Sequence, residues 1–415
     1  MSILIARCDA MIVSQVTTLT PVVANSTTYG IAINSKVTDN YMSDGSATAQ
    51  EIVEGVVTKI DLIDTPEYNE LEFTEDNAII TVTGAATGEP FTVVSNGAGT
   101  LTVASSAAPK GPTHWIAENF SGGALPANGD TVILSGLSAT QGFLWGLGQS
   151  GVTLDELDIR HDAEAPIGLP EYKVSADGTY YQTNYRDTHL EISATLFRLG
   201  RGSGNGSNRV KINFGTNACQ AIIEQTCQSR EFQAFAPVLL LGGHASNSLV
   251  LRGGSVDLAM LPGYEALTQN WPTILVQNGV LRCGSTVSLA AVTVLGGLIE
   301  TRKAVTTYLV RGQGSAVHYE GNITTLEQNG QTMLLRNSSV LTIATLNGYP
   351  AKTLDLTASE AAVTVTNMNI YATPDNPFTI LDPNNKLVMT NAAVCQNGSP
   401  SLVIRSGANK NLRLT

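Results

Sequence analysis

Charge and aromatic rings are both scarce in this sequence: 14% of residues are Asp, Glu, Lys or Arg, where globular chains carry about 25%, and only 6% are Phe, Trp or Tyr. Few rings and few charges, beside 43% hydrophobic residues, argue against one large globular core. They fit small branched side chains stacked in layers. No apolar run approaches the roughly 20 residues that a membrane-spanning helix needs, so the expectation is a soluble chain. The segment Met1 to Asp9 lacks a basic start and meets an acid before an apolar stretch can build, so no secretion signal is read there.

The cysteines (Cys8, Cys219, Cys227, Cys283, Cys395) are odd in number, scattered and never spaced C-x-x-C, which indicates neither a disulfide framework nor a zinc site. Buried free thiols made in a reducing cytoplasm are expected. The histidines (His114, His161, His189, His244, His318) never stand four apart, and no H-E-x-x-H or Ser/His/Asp pattern occurs. Catalytic, metal and cofactor residues are therefore all read as none. A formal charge of −12 repels phosphate backbones and anionic headgroups, so neither nucleic acid nor a membrane is expected as partner. Protein or neutral glycan remains.

Residues 1–110 read as a small α+β domain. Apolar residues at Ala49, Ile52, Val53, Val56, Val57 and Ile60 follow helical spacing within 47–63, and Thr48 with Glu51 matches a capping box. Short β-branched stretches flank it, among them Ile31 to Ile33, Ala78 to Val82 and Thr100 to Val103. The polar, Pro- and Gly-containing run Ser105 to Pro112 marks a boundary. From 111 to 415 the character changes to short apolar runs broken by Gly, Asn and Ser. One series begins at Leu249, Val280, Leu298, Val317, Val340, Val363 and Leu387, and a second at Val238, Ile274, Val292, Tyr308, Met333, Leu354 and Leu402.

A period of about 20 residues with strands too short for independent hairpins predicts a right-handed parallel β-helix, a solenoid in which each coil pairs with its neighbours. Gly and Asn then supply positive φ at the corners, and Asn side chains ladder between coils. A β-sandwich is the less favoured alternative, because N-G and D-G hairpin signals are few.

Residues 115 to 134, Trp-Ile-Ala-Glu-Asn-Phe-Ser-Gly-Gly-Ala-Leu-Pro-Ala-Asn-Gly-Asp-Thr-Val-Ile-Leu, resemble the W-x(3)-N-W-S-G-G-x-x-P-x-x-G-D-x-V-x-I motif that opens β-helical passenger and surface proteins, with Phe120 in place of the second Trp. The N-terminal unit, with Gln15 to Pro21, Ala49 to Val57 and Gly88 to Val93, is similar to small domains of tailed-bacteriophage structural proteins. Together these resemblances imply a virion protein made in the host cytoplasm.

Remaining candidates are few. Asp155, Glu156, Asp158, Asp162 and Glu164 form an acidic cluster that suits glycan cleavage or cation binding, yet their alternation with Leu154, Leu157 and Ile159 points them to solvent. Gly200 to Gly206 lacks the G-x-G-x-x-G spacing and reads as a loop. Tyr172, Tyr180, Tyr181 and Tyr185 offer flat amphipathic surface for a subunit interface, for loop packing or for a glycan. The expected function is a non-enzymatic virion protein, a homotrimeric capsid decoration contacting other virion proteins such as the major capsid protein. The alternatives are a tail fibre or tailspike adhesin that binds host surface glycan, and a polysaccharide-degrading β-helix enzyme.

Overall fold

The computed structural model describes residues 2–136, 142–163, 166–169, 172–174, 180–182, 189–202, 209–226, 238–259, 269–398, 401–406 and 410–413, with the backbone alone for 172–174, 180–182 and 410–413. Short strands with alternating burial dominate. In Ser248–Leu251, Thr273–Val276 and Val280–Cys283 every second residue is buried, which is the pattern of a strand with one face on a core. These strands join a 25-stranded sheet in which every pairing is parallel except the last, where Lys410–Arg413 runs antiparallel to Leu402–Ser406. The architecture is a parallel β-helix.

Register shows how the coils stack. Ile274 lies beside Val292, Val292 beside Tyr308, and Tyr308 beside Leu326, forming one face. Leu281, Ile299, Ala316, Met333 and Leu354 form a second. A third is clearest late in the chain, where Leu341 meets Val363 and Val363 meets Leu387. The long strands Val305–Arg311, Ile323–Asn329, Leu341–Gly348 and Val363–Ile370 serve two faces each. Their alternation slips by one residue at Thr306–Thr307, Thr324–Thr325, Ala344–Thr345 and Thr366–Asn367, where the strand turns a corner.

The two series read from sequence found the repeat but mixed the faces. Leu249, Val280 and Val340 head strands of three different stacks, because all faces carry the same apolar alternation and loops change the coil length. The spacing tightens to that between Ala291 and Thr307 and widens to that between Leu157 and Phe197.

Among the described residues two hydrophobic cores result. One runs through the solenoid from Leu4 to Ile404, and the other unites Leu19, Tyr29, Ile31, Ile52, Val53, Val56, Ile80 and Val82 in the α+β unit. The helix spans Ala49–Ile60, with the Thr48–Glu51 capping box in place, and buries Ile52, Val53, Val56 and Ile60. It packs on a sheet ordered Glu72–Asp76, Ile79–Thr83, Val16–Pro21, Leu101–Ala107, and on a smaller one built around Thr28–Ile33.

Strand Ile3–Ile5 pairs in parallel with Thr131–Leu134, and Leu4, Ala6 and Cys8 belong to the solenoid core. The chain thus lays down its first solenoid strand, leaves to build the α+β unit, and returns. Exit and return touch: Val13 N donates to Lys110 O at 2.8 Å and Lys110 N to Val13 O at 3.1 Å. The division expected at residue 110 had placed residues 2–10 in the α+β unit, whereas they pack with the coils.

The opening motif covers this end. Trp115 and Phe120 are buried, and each ring lies near Phe143, at 4.8 and 5.5 Å between centroids. Asn119 is fully buried, donating Nδ2 to the carbonyls of Gly111 and His114, both at 2.8 Å, and accepting from Ala10 N at 2.9 Å.

Candidate binding surface

Three of the four tyrosines singled out from sequence fall on two paired strands. Tyr172–Val174 pairs antiparallel with Tyr180–Gln182, setting Tyr172 opposite Gln182, Lys173 opposite Tyr181 and Val174 opposite Tyr180. This pair forms a sheet of its own. Tyr185 lies outside the described residues, as do Glu164, Cys227 and residues 203–208 of the glycine-rich loop.

Two carboxylates of the acidic cluster, Glu156 and Asp158, meet arginines. Glu156 meets Arg198 at 2.9 Å across neighbouring coils. Asp158, expected to face solvent, is only 3% exposed, because paired strands flank it at Ile133 and Arg198. Its Oδ2 stands 3.4 Å from Arg160 and 4.0 Å from Arg201. Asp257–Arg282 and Arg311–Glu327 repeat the motif as two-pronged pairs between adjacent coils, each at 2.7 and 3.1 Å. Such forked contacts fix register more than they add stability. Among the described residues no group of three His, Cys, Asp or Glu side chains has the arrangement of a metal site.

Two buried histidines and two buried thiols are held neutral. His318 accepts at Nδ1 from the Thr301 hydroxyl at 2.8 Å and donates from Nε2 to Gly321 O at 2.8 Å, and burial keeps its pKa below the ordinary value. His189 is pushed down to about 3, first by burial and then by the neighbouring Lys211 charge. Cys219 and Cys283 are free and buried, and burial drives both thiols well above their usual range. Cys8 is also buried, whereas Cys395 is half-buried.

A surface that sequence reading missed lies on the outer side of the strands Leu341–Gly348, Val363–Ile370 and Val394–Cys395. Register places Asn347 beside Asn369 and Thr345 beside Asn367. Asn369 Nδ2 donates to Asn347 Oδ1 at 3.0 Å, and Gln396 donates to Asn369 Oδ1 at 3.3 Å. A parallel row runs from Asn391 to Asn367 Oδ1 at 2.9 Å, and from Asn367 Nδ2 to Ala344 O at 3.2 Å. The expected inter-coil asparagine ladder is thus present, on an outward face. At its border Tyr349 and Tyr371 stack with centroids 5.1 Å apart and planes 18° apart. Burial, then the Glu327 carboxylate, raises the Tyr349 hydroxyl above its ordinary pKa, so it remains a hydrogen-bond donor. Tyr371 is 37% exposed. The two rings stand in adjacent coils, so only the coil length at that point would have revealed the pair.

Comparison of the chain with family models, with curated proteins and with solved structures finds no match in any of the three.

Proposed function

We propose that the protein is a non-enzymatic structural protein of a tailed-bacteriophage particle, a homotrimeric decoration on the outside of the head that contacts the major capsid protein. The observation that carries this reading is one apolar core threaded through the coils from Leu4 to Ile404, beside a separate core in the α+β unit. A stacked core of this kind makes a stiff support, and a second independently packed unit at one end suits attachment. The resemblance of that unit to small phage structural domains supplies the particle. A non-catalytic role is supported by Glu156 and Asp158, whose carboxylates are engaged by arginines where a glycan-cleaving site needs two acids free to face one groove. Closed threefold symmetry suits a prism-like solenoid.

The test is labelling of purified phage particles from a culture producing the protein, using an antibody raised against the full chain. Label distributed over the head is expected. Label confined to the tail tip, or absent from particles, overturns the assignment. The outward tyrosine and amide face favours the adhesin reading as the second choice.

A further inference from the structure

We propose that the outer face carried by Leu341–Gly348, Val363–Ile370 and Val394–Cys395 binds an uncharged glycan chain lying along the solenoid axis. The reasoning begins with what the amide rows leave unused. A side-chain amide has two N–H donors and a carbonyl with two lone pairs. Asn369 spends one donor on Asn347 and one lone pair on Gln396; Asn367 spends one donor on Ala344 O and one lone pair on Asn391. Each rung therefore keeps a donor and an acceptor beyond those bonds, held in fixed orientation by the ladder itself. Vicinal hydroxyls of a sugar, which both donate and accept, match such groups.

Spacing and charge narrow the ligand. Neighbouring rungs of a sheet lie about 4.8 Å apart, close to the advance of one sugar in an extended pyranose chain, so successive sugars meet successive amides. The side chains concerned, Asn347, Tyr349, Asn367, Asn369, Tyr371 and Asn391, carry no formal charge on a molecule of net charge −12. The ion pair next along the face, Arg311–Glu327, is closed on itself by two contacts. No cation of these rows waits for a sulfate or a carboxylate, which selects a neutral glycan over an acidic one. At the border the exposed ring of Tyr371 gives an apolar surface for sugar C–H groups, and its hydroxyl gives a further polar contact.

The experiment measures binding of the full chain by calorimetry to linear neutral tetrasaccharides of glucose, galactose and N-acetylglucosamine, with a sialylated tetrasaccharide as the charged comparison. Binding to at least one neutral probe is expected, weakened tenfold or more in Tyr371→Ala and in Asn369→Ala. Asn391→Ala changes an exposed side chain and serves as a third variant where either of the others lowers the melting temperature. No binding to any neutral probe, tighter binding to the sialylated one, or affinity unchanged in the folded variants overturns the proposal. Particle labelling reads a different property, so the failure of one reading leaves the other standing.

Discussion

Asn119 joins the exit and return paths of the chain with one side chain. Its amide holds the carbonyls of Gly111 and His114 on the return path and the N–H of Ala10 on the exit path, all in the interior. Alanine there leaves the Ala10 N–H without its partner and removes one of two bonds to each of Gly111 O and His114 O, which still accept from His114 N and Ile116 N, and an unmade buried bond costs about 1–3 kcal/mol. For Asn119→Ala we expect a loss of about 3 kcal/mol, read as a lower urea midpoint. A loss under about 1 kcal/mol would mean that water or neighbouring groups replace the amide. The importance of this residue was half legible. The motif resemblance singled out the loop around Trp115 and Phe120, and the structure buries both rings against Phe143. The tie of Asn119 to Ala10 had no local signal, because the partner lies 109 residues earlier. Asp158 illustrates the opposite failure. Alternation places it outward, correctly, yet outward on a solenoid flank can still mean buried once strands close on both sides.

At the scale of the element, the corner between the first and second faces is set by a column of glycines. Gly254, Gly279 and Gly297 follow Ser248–Leu251, Thr273–Val276 and Ala291–Val294, and all have positive φ, at 84°, 91° and 72°. Each carbonyl accepts from the coil above: Val280 N to Gly254 O at 2.8 Å, Leu298 N to Gly279 O at 2.8 Å, Ser315 N to Gly297 O at 2.9 Å. A Cβ at Gly279 would run into the Gly254 backbone, on top of the roughly 1–2 kcal/mol cost of the left-handed conformation. We expect Gly279→Ala to destabilise by at least about 2 kcal/mol in thermal unfolding, whereas Gly45→Ala, where a Cβ meets nothing, stays within about 0.5 kcal/mol. Equal melting temperatures for the two variants would refute the steric account. Glycine punctuation and apolar alternation were both readable in the sequence, which is why the solenoid was. The assignment of strands to faces was not, since Leu249, Val280 and Val340 look alike until pairing distinguishes them. For the same reason the Tyr349–Tyr371 surface stayed hidden while the local cluster at Tyr172 did not.

For the whole molecule, the α+β unit behaves as a guest in the solenoid. Its first and last residues, Val13 and Lys110, exchange two backbone hydrogen bonds, and its core shares no residue with the solenoid core. Insertions whose ends meet are well tolerated by their hosts, and the same geometry permits removal. Replacing residues 14–109 by a short Gly-Ser linker should therefore leave a folded solenoid, with β-sheet circular dichroism and a single cooperative melt. An aggregated or unfolded product would show that the two units depend on each other. Sequence marked the later edge of the guest, at Ser105 to Pro112, through its composition. The earlier edge went unread because Ile3–Ile5 is only three residues long and its partner begins at Thr131.

That separation has a temporal side. Thr131–Leu134, the strand that Ile3–Ile5 pairs with, is synthesised more than a hundred residues after it. At about 5–20 residues per second the wait is on the order of ten seconds, long beside the microseconds in which a hairpin forms. Throughout it, Leu4, which the solenoid core buries, lacks the strand it packs beside. Completion of the guest unit, by bringing Val13 to Lys110, delivers the waiting strand to the point where the first coil is about to be made. The order of synthesis thus completes the α+β unit before the coils, and its closing contact at Val13 and Lys110 holds the early strand near the place where they form.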